Sequence, residues 1–142
     1  MGRPDTRPIR RARQRGVSPG VTLDAGPLIQ LDRGDRRVIV LLARAEQTGD
    51  RVIVPGTALA QAIRDPTRQA RLARLLRQPG TDVVPLDRVD ATGIGRLLAA
   101  GGSSDIADAH VVLCARRSGT GVVTSDPDDL RALDPTLELS VV

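Results

Sequence analysis

Short apolar runs alternate with helical segments from Val21 to the end of the chain, and this alternation restricts the fold more than any other feature. The runs have the length of buried strands, and the segments between them have an amphipathic helical period. Parallel strands need crossovers of this kind, which are right-handed and cover both faces of a sheet. The sequence therefore predicts a three-layer α/β/α fold with a mostly parallel central sheet of about five strands. The predicted strands are 21–24, 51–54, 82–86, 121–124 and 137–142.

Helices fill the intervals between these strands. Gly49 ends one helix, the pair Asp65-Pro66 separates two others, and the serines of the loop 101–104 are expected to cap the helix that follows. Five arginines lie on the exposed faces of the two helices around Asp65-Pro66, a pattern that predicts solvated surface rather than an RNA track. The predicted helices are a short one starting at 26 and the segments 35–48, 57–64, 67–77, 88–100, 105–117 and 127–133.

The chain contains no Phe, Tyr or Trp, although 40% of its residues are hydrophobic. Its core must therefore consist of Leu, Val, Ile and Ala, and β-branched residues suit buried strands. Nucleic-acid modules that stack bases on aromatic rings are excluded. Arginine planes remain available for stacking, because all 21 basic residues are Arg.

Positive charge is concentrated in the first residues of the chain. Residues 1–18 carry a net charge of +5 and the whole chain carries +4, so the remainder is slightly acidic and is not a basic DNA-binding module. We predict an Arg-rich tail over 1–20 and one domain over 21–142. The tail could contact RNA phosphates or an acidic partner, could have no role, or could reflect a start site near Val17 or Val21.

A single cysteine, Cys114, excludes an internal disulfide and agrees with a reducing compartment. We interpret it as a small core residue rather than a nucleophile. The Arg-rich start is not followed by an apolar signal region, and no apolar run is long enough to span a membrane. The sequence therefore predicts a cytoplasmic protein without membrane association.

Four aspartates map to the carboxyl edge of the predicted sheet. Asp24 closes the first strand, Asp126 follows the fourth, and Asp105 and Asp108 lie one turn apart at the start of a helix. Ligands of parallel sheets bind at this edge, near the point where the strand order reverses. Converging carboxylates raise each other's pKa, and Mg²⁺ or Mn²⁺ would relieve their repulsion. Alternatively each aspartate only ends a strand or caps a helix, and Asp105 is the best candidate for a cap.

Three segments resemble the PIN domain family, and its VapC toxin branch in particular. Residues 23–26 (LDAG) with the following Leu28-Ile29 resemble the first strand and its acid, and residues 54–61 (VPGTALAQ) resemble the second strand and helix. Residues 104–110 (SDIADAH), with Thr124-Ser125-Asp126, resemble the paired-acid helix and the closing element. The resemblance spans roughly residues 21–135, and the order and spacing of the motifs are more specific than any one of them.

This resemblance implies a Mg²⁺- or Mn²⁺-dependent endoribonuclease toxin that cleaves cellular RNA, forms a homodimer and is neutralised by a cognate VapB-like antitoxin. Carried over by position, Asp24, Asp108 and Asp126 would be the catalytic acids and metal ligands. Asp105 resembles an auxiliary acid of many relatives.

One departure from the family pattern bears on activity. Gln61 occupies the position of the second family acid, a Glu, and an amide keeps a hydrogen-bonding oxygen but loses the charge. Asp105, Asp128 or Asp129 could return a carboxylate to the site. The alternative function is thus a weakened or inactive PIN-fold module that binds antitoxin or RNA without turnover. Metal titration separates the two, because a decayed site should gain little stability from Mn²⁺.

Three further residues near these motifs have two interpretations each. His110 is expected to be a satisfied, partly buried histidine rather than a general base. The hydroxyls of Thr124 and Ser125 could hold a ligand water or a phosphate, or could bond to the nearby backbone. A response-regulator receiver also uses strand-end aspartates but relies on a lysine, and this chain has none. Rossmann and P-loop folds are disfavoured because neither glycine signature is present.

Overall fold

Five strands form one fully parallel sheet in the computed structural model, which describes residues 20–142. The predicted Arg-rich tail lies almost entirely outside the described residues. The strands follow the order β3-β2-β1-β4-β5 across the sheet. They are β1 (Gly20–Leu23), β2 (Arg51–Pro55), β3 (Thr81–Val84), β4 (Gly121–Thr124) and β5 (Leu139–Val141). The predicted sheet is therefore confirmed, with every pairing parallel.

Seven α-helices within residues 20–142 cover the two faces of this sheet. The chain runs from β1 through β2 to β3 toward one edge and then crosses back to β4 and β5. Right-handed crossovers in opposite directions place their helices on opposite faces, which gives the predicted three layers. The helices are α1 (Ala25–Asp32), α2 (Arg36–Thr48), α3 (Gly56–Ala62), α4 (Ala70–Leu76), α5 (Arg88–Gly101), α6 (Ile106–Ser118) and α7 (Pro127–Leu133).

Several boundaries differ from the predicted ones for local reasons. The segment 67–77 is not one helix, because a 3₁₀ turn at Pro66–Arg68 precedes α4. Strand β3 ends before Pro85, which has no N–H to donate to a neighbouring strand. The interpretation of Asp105 as a helix cap is confirmed, because its carboxylate accepts from the Asp108 N–H at 2.9 Å. The expectation that a loop serine caps α6 is wrong. Ser103 instead accepts a hydrogen bond from the Asp105 N–H.

The core is aliphatic, as the composition predicts. Leu23 of β1 and Leu28 of α1 are fully buried, and Leu72 of α4 and Leu130 of α7 are buried with them. Cys114 is also buried among them, and burial raises the pKa of its thiol to about 11, which agrees with a packing role. None of the helices in the described part of the chain is both long and apolar enough to cross a bilayer.

The topology creates a crevice at the carboxyl edge of the sheet. β1 has β2 on one side and β4 on the other, so the chain leaves β1 and β4 in opposite directions across the sheet. Such a switch point leaves a gap between the first turns of the adjoining helices, and ligands bind there. Asp24 follows β1 and Asp126 follows β4 by two residues, so both lie at this crevice.

Candidate acidic active site

Asp24 lies at the end of β1 and begins helix α1. Its Oδ1 accepts from the Ala25 N–H at 2.8 Å, and its Oδ2 accepts from the Thr124 hydroxyl at 2.8 Å. The side chain is buried, and burial raises its pKa despite these two hydrogen bonds, with the charges of Asp105 and Asp126 acting in the same direction. Two hydrogen bonds therefore orient the Asp24 carboxylate, while burial and the neighbouring negative charges disfavour its ionised form.

Thr124 joins two of the predicted acids. Its hydroxyl is fully buried, donates to Asp24, and accepts from the Asp126 N–H at 3.0 Å. Of the two interpretations of Thr124, the structure shows the hydrogen bond to the nearby backbone. The hydroxyl proton of Thr124 is donated to Asp24. The Asp126 side chain is exposed and makes no capping bond to α7. Thr124 thus holds the Asp24 carboxylate and the backbone of Asp126 in one unit.

Ser125 lies between these residues and packs against Gly26. A Cβ atom added at Gly26 would lie 2.0 Å from the Ser125 Oγ and 3.1 Å from its Cβ, so the Ser125 side chain would have to move to admit a larger residue. The Ser125 hydroxyl is exposed, and no hydrogen bond is assigned to it within residues 20–142. The glycine of the LDAG segment therefore allows the β4 loop to approach the first turn of α1.

Asp108 receives the strongest electrostatic perturbation of the group. Burial is the largest cause, and the charges of Asp105, Asp24, Asp129 and Asp126 follow, so that its pKa rises to about 7. Each of these neighbouring charges is negative. The structure thus brings Asp24, Asp105, Asp108 and Asp126 into one field, as expected from the order of the motifs.

The charge of Asp129 is among the largest causes of the raised pKa of Asp108, and that of its neighbour Asp128 is not. Asp128 is exposed and lies 3.7 Å from Arg131, one turn further along α7. The two residues were equal candidates in the sequence, since they are adjacent on a short helix. The turn of α7 at the crevice decides that Asp129 contributes charge to the site.

The donor chemistry of this site fits a hard divalent cation. Its side chains offer carboxylate oxygens, which Mg²⁺ and Mn²⁺ prefer, and a cation would relieve the mutual repulsion that raises the pKa of Asp108. Within residues 20–142, no three Asp, Glu, His or Cys side chains are already gathered around one point at metal-binding distance. The carboxylates Asp24, Asp108 and Asp126 would therefore have to turn inward to hold an ion.

Gln61 lies on the exposed face of α3, and no hydrogen bond to the aspartates is assigned to it in the described part of the chain. It lines a cavity of about 320 Å³ together with Ile29 of α1 and three arginines: Arg33, Arg64 and Arg68. Gln61 was predicted to replace an acidic ligand. Its cationic neighbours were not predicted, because Arg33 lies far from Gln61 in the chain.

His110 is hydrogen-bonded at both ring nitrogens, as expected, but it is fully buried behind the acidic edge rather than partly buried. Its Nδ1 lies 2.8 Å from the Thr57 hydroxyl of α3, and its Nε2 lies 3.2 Å from the Asp90 carboxylate of α5. Arg117 donates to the other oxygen of Asp90. The sequence pointed to neither Thr57 nor Asp90, although both support the helices that carry the site.

Comparisons with known proteins agree with this architecture. The family model described as the PIN domain matches residues 21–134. The solved structure of VapBC2 from Rickettsia felis, bound to a DNA fragment from its promoter, aligns with a TM-score of 0.64 and 13% identity over 86% of this chain and 98% of that chain. FitAcB from Neisseria gonorrhoeae aligns with a TM-score of 0.57 and 17% identity over 84% and 95%, respectively. At these identities the two structures show a shared fold only. Among curated proteins, no sequence matches significantly.

Proposed function

We propose that this chain, which belongs to the PIN domain family, is a VapC-type endoribonuclease that depends on a divalent metal ion. The family predicted from the sequence is confirmed, and PIN domains are generally nucleases that use divalent metals. One observation carries the proposal for this particular chain. Within residues 20–142, the largest charge effects on Asp108 come from four aspartates and none from a cation, and its pKa rises to about 7. A folded protein that keeps such repulsion at its ligand crevice is suited to bind a cation there.

Different residues of the acidic site would bind the cation, add negative charge and orient the ligands. Asp24, Asp108 and Asp126 would hold the cation, with Asp105 and Asp129 adding negative charge. When bound, the ion would supply Lewis-acid polarisation of the scissile phosphodiester. Thr124 would keep Asp24 oriented through its 2.8 Å hydrogen bond. Asp108 would release its proton when the cation binds, so metal affinity should rise as the pH increases through about 7.

RNA cleavage by the purified protein tests this function. Total RNA would be incubated with Mn²⁺, with Mg²⁺ and with EDTA, using the natural chain, an Asp126→Asn variant and a Gln61→Glu variant. Cleavage by the natural chain that EDTA and Asp126→Asn both abolish supports the proposal. Cleavage that persists in EDTA contradicts a metal-dependent reaction.

The alternative function rests on Gln61. If the natural chain fails to cleave with either metal and Gln61→Glu cleaves, the protein is a PIN-fold binding module without turnover. Gln61 lies beside three arginines, and an amide in this position can form hydrogen bonds with RNA. Both the ribonuclease and the binding module would contact RNA, so this position agrees with either function.

An antitoxin partner belongs to the same proposal. A groove of about 500 Å³ between α2 and α4 is lined by Leu31, Ile39, Leu42 and Leu75 together with Arg71 and Arg74. Such a surface suits an amphipathic helix with aliphatic side chains and acidic residues. The neighbouring VapBC2 structure supports this interpretation through its shared fold.

Substitution in the groove tests the partner. Co-expressed with a candidate VapB-like antitoxin, Ile39→Glu should prevent complex formation and leave metal-dependent cleavage intact. Val89→Glu, at a position on α5 that is 73% exposed and outside the groove, serves as the control. The homodimer and the cytoplasmic location stay predictions, and light scattering of the purified chain would test the first.

A further inference from the structure

The cavity beside Gln61 combines polar and cationic side chains from three segments of the chain. Ile29, Asp32 and Arg33 come from the end of α1, and Gln61 comes from α3. The remaining lining residues lie at the end of α3 and on its connection to α4. They are Ala62, Arg64, Asp65, Arg68 and Gln69. The volume of about 320 Å³ is large enough for a phosphate group with part of a nucleotide.

The charges in this pocket leave cationic groups available. Three guanidinium groups face two carboxylates, and the Asp65 carboxylate is already occupied by the Thr67 N–H at 3.2 Å and the Thr67 hydroxyl at 2.6 Å. The pair of Arg68 with Asp65 spans 3.5 Å with the Arg68 side chain 86% exposed, so it contributes little and is easily rearranged. For Arg33, no ion pair is assigned within residues 20–142. Asp32 and Asp65 both oppose an anion, so three guanidinium groups and two carboxylates leave the pocket with a net charge of +1.

A buried glutamine braces the wall of the pocket. Gln69 is 6% exposed, its Oε1 accepts from the Arg64 N–H at 2.9 Å, and its Nε2 donates to the Ala62 carbonyl at 2.9 Å. These bonds fix the backbone that presents Arg64. A bound anion would therefore meet a preformed wall, which lowers the entropy lost on binding.

The pocket lies along α1 from the acidic site. Asp24 begins this helix and Arg33 ends it, so the helical rise of about 1.5 Å per residue separates their backbones by roughly 13 Å. Ile29 lies between them, roughly 7 Å from Asp24 by the same rise. Phosphates of one strand in a stacked duplex are spaced about 3.4 Å along the axis, and an extended single strand spaces them more widely, so the pocket lies at most about four phosphates from the acids.

From these observations we infer that the pocket of Arg33, Gln61, Arg64 and Arg68 binds a backbone phosphate of single-stranded RNA a few nucleotides from the scissile bond. This inference rests on the proposed ribonuclease function. The acidic crevice repels a polyanion, and cations at a fixed distance along α1 hold the strand against that repulsion. The five arginines around Asp65-Pro66 are exposed, as the sequence predicts, but Arg64 and Arg68 face a shared pocket with Arg33.

Gln61 has a specific role in this arrangement. Its amide can donate a hydrogen bond to a phosphate oxygen, which a carboxylate cannot do. Arg64 lies three residues further along the chain, and a carboxylate at position 61 would add a third acid to the pocket. Gln61→Glu should therefore weaken RNA binding severalfold in the absence of metal.

RNA binding without turnover tests the inference. An Asp108→Asn background in EDTA prevents cleavage, and fluorescence anisotropy with a labelled single-stranded RNA reports affinity from 50 to 300 mM salt. The test variant is Arg33→Ala/Arg64→Ala. The matched control is Arg88→Ala/Arg96→Ala, which removes two exposed arginines of α5 that do not line the pocket. Arg33→Lys/Arg64→Lys retains the charge.

The test variant should bind RNA roughly 10- to 30-fold more weakly at 0.1 M salt. Because two phosphate contacts are removed, the negative slope of log K against log salt should become less steep by about 1.4. The control and the lysine variant should keep most of the slope, and all variants should have similar melting temperatures. Equal losses in the test variant and in the control would overturn the pocket as a specific site.

The outcomes also separate this inference from the proposed function. If the natural chain cleaves RNA and the test variant binds RNA like its parent, the pocket inference fails and the nuclease stands. If the natural chain neither binds nor cleaves RNA, the proposed function fails and the inference fails with it.

Discussion

The Nε2 atom of His110 lies 3.2 Å from the Oδ2 atom of Asp90, and both side chains are almost completely buried. A carboxylate can only accept, so in a neutral imidazole Nε2 carries the proton and Nδ1 accepts from the Thr57 hydroxyl. Arg117 supplies the countercharge of Asp90 and lowers its pKa, with His110 acting in the same direction. This network ties together α3, α5 and α6, the first and last of which carry Gln61 and Asp108.

Asp90→Asn should destabilise the fold by about 2–4 kcal/mol, because it removes the partner of a buried histidine and of an arginine. Since the pKa of Asp90 is lowered in the folded state, its contribution is present at neutral pH and is lost as the pH falls through the acidic range. Urea unfolding at pH 7 and at about pH 3, which lies below the ordinary pKa of an aspartate, measures both effects. Asp128→Asn, at an exposed residue whose Arg131 neighbour lies at 3.7 Å, should change stability by less than about 0.5 kcal/mol. An Asp90 variant as stable as this control would contradict a structural role for the network.

Thr124→Val should reduce cleavage about 10- to 100-fold, because Asp24 loses the hydroxyl that orients it. Thr22→Val provides a matched control on the neighbouring strand β1. Thr22 is equally buried and its hydroxyl lies 2.7 Å from that of Thr120, so its loss should cost similar stability without reaching the acids. Metal-dependent cleavage and thermal melting of both variants separate the two effects. Equal losses of activity would mean that Thr124 acts only through stability.

Asp108→Asn should abolish cleavage and stabilise the fold at neutral pH by about 1–2 kcal/mol, a value reduced for partial exposure. The folded-state pKa of about 7 lies above the ordinary aspartate value, so the native state holds a proton that the unfolded state releases. Stability of the natural chain should therefore fall as the pH rises through this window. The advantage of Asp108→Asn should be small near pH 4 and complete above about pH 7. Denaturant titrations from pH 5 to pH 8 follow this difference, and a gain that does not depend on pH would refute the electrostatic cause.

Mn²⁺ should raise the melting temperature of the natural chain and should have little effect on Asp24→Asn/Asp126→Asn. A ligand that binds the folded state at one hundred times its dissociation constant adds about 2.7 kcal/mol of stability. Differential scanning fluorimetry with Mn²⁺, Mg²⁺ and Ca²⁺ measures the shift. An equal shift in the double variant would place the metal elsewhere.

Much of the architecture could be predicted because its signals are local. Strand length, helical period and breakers such as Gly49 and Pro66 act within a few residues, and they predict the order of the elements and the parallel sheet. The position of Asp24 and Asp126 at one edge follows from that order, since parallel strands end at the same side. The aliphatic core follows from the absence of aromatic residues.

The identity of the neighbours of each side chain was decided by the tertiary structure. The pairing of His110 with Asp90, the charge of Asp129 rather than Asp128 on Asp108, and the pocket of Gln61 with Arg33 each depend on how helices pack. A helical period shows which face of a helix is apolar, but it carries no information on which distant helix meets that face or at what rotation. The sequence alone therefore determined the fold class and the acidic edge, whereas packing determined the buried network and the cationic pocket beside it.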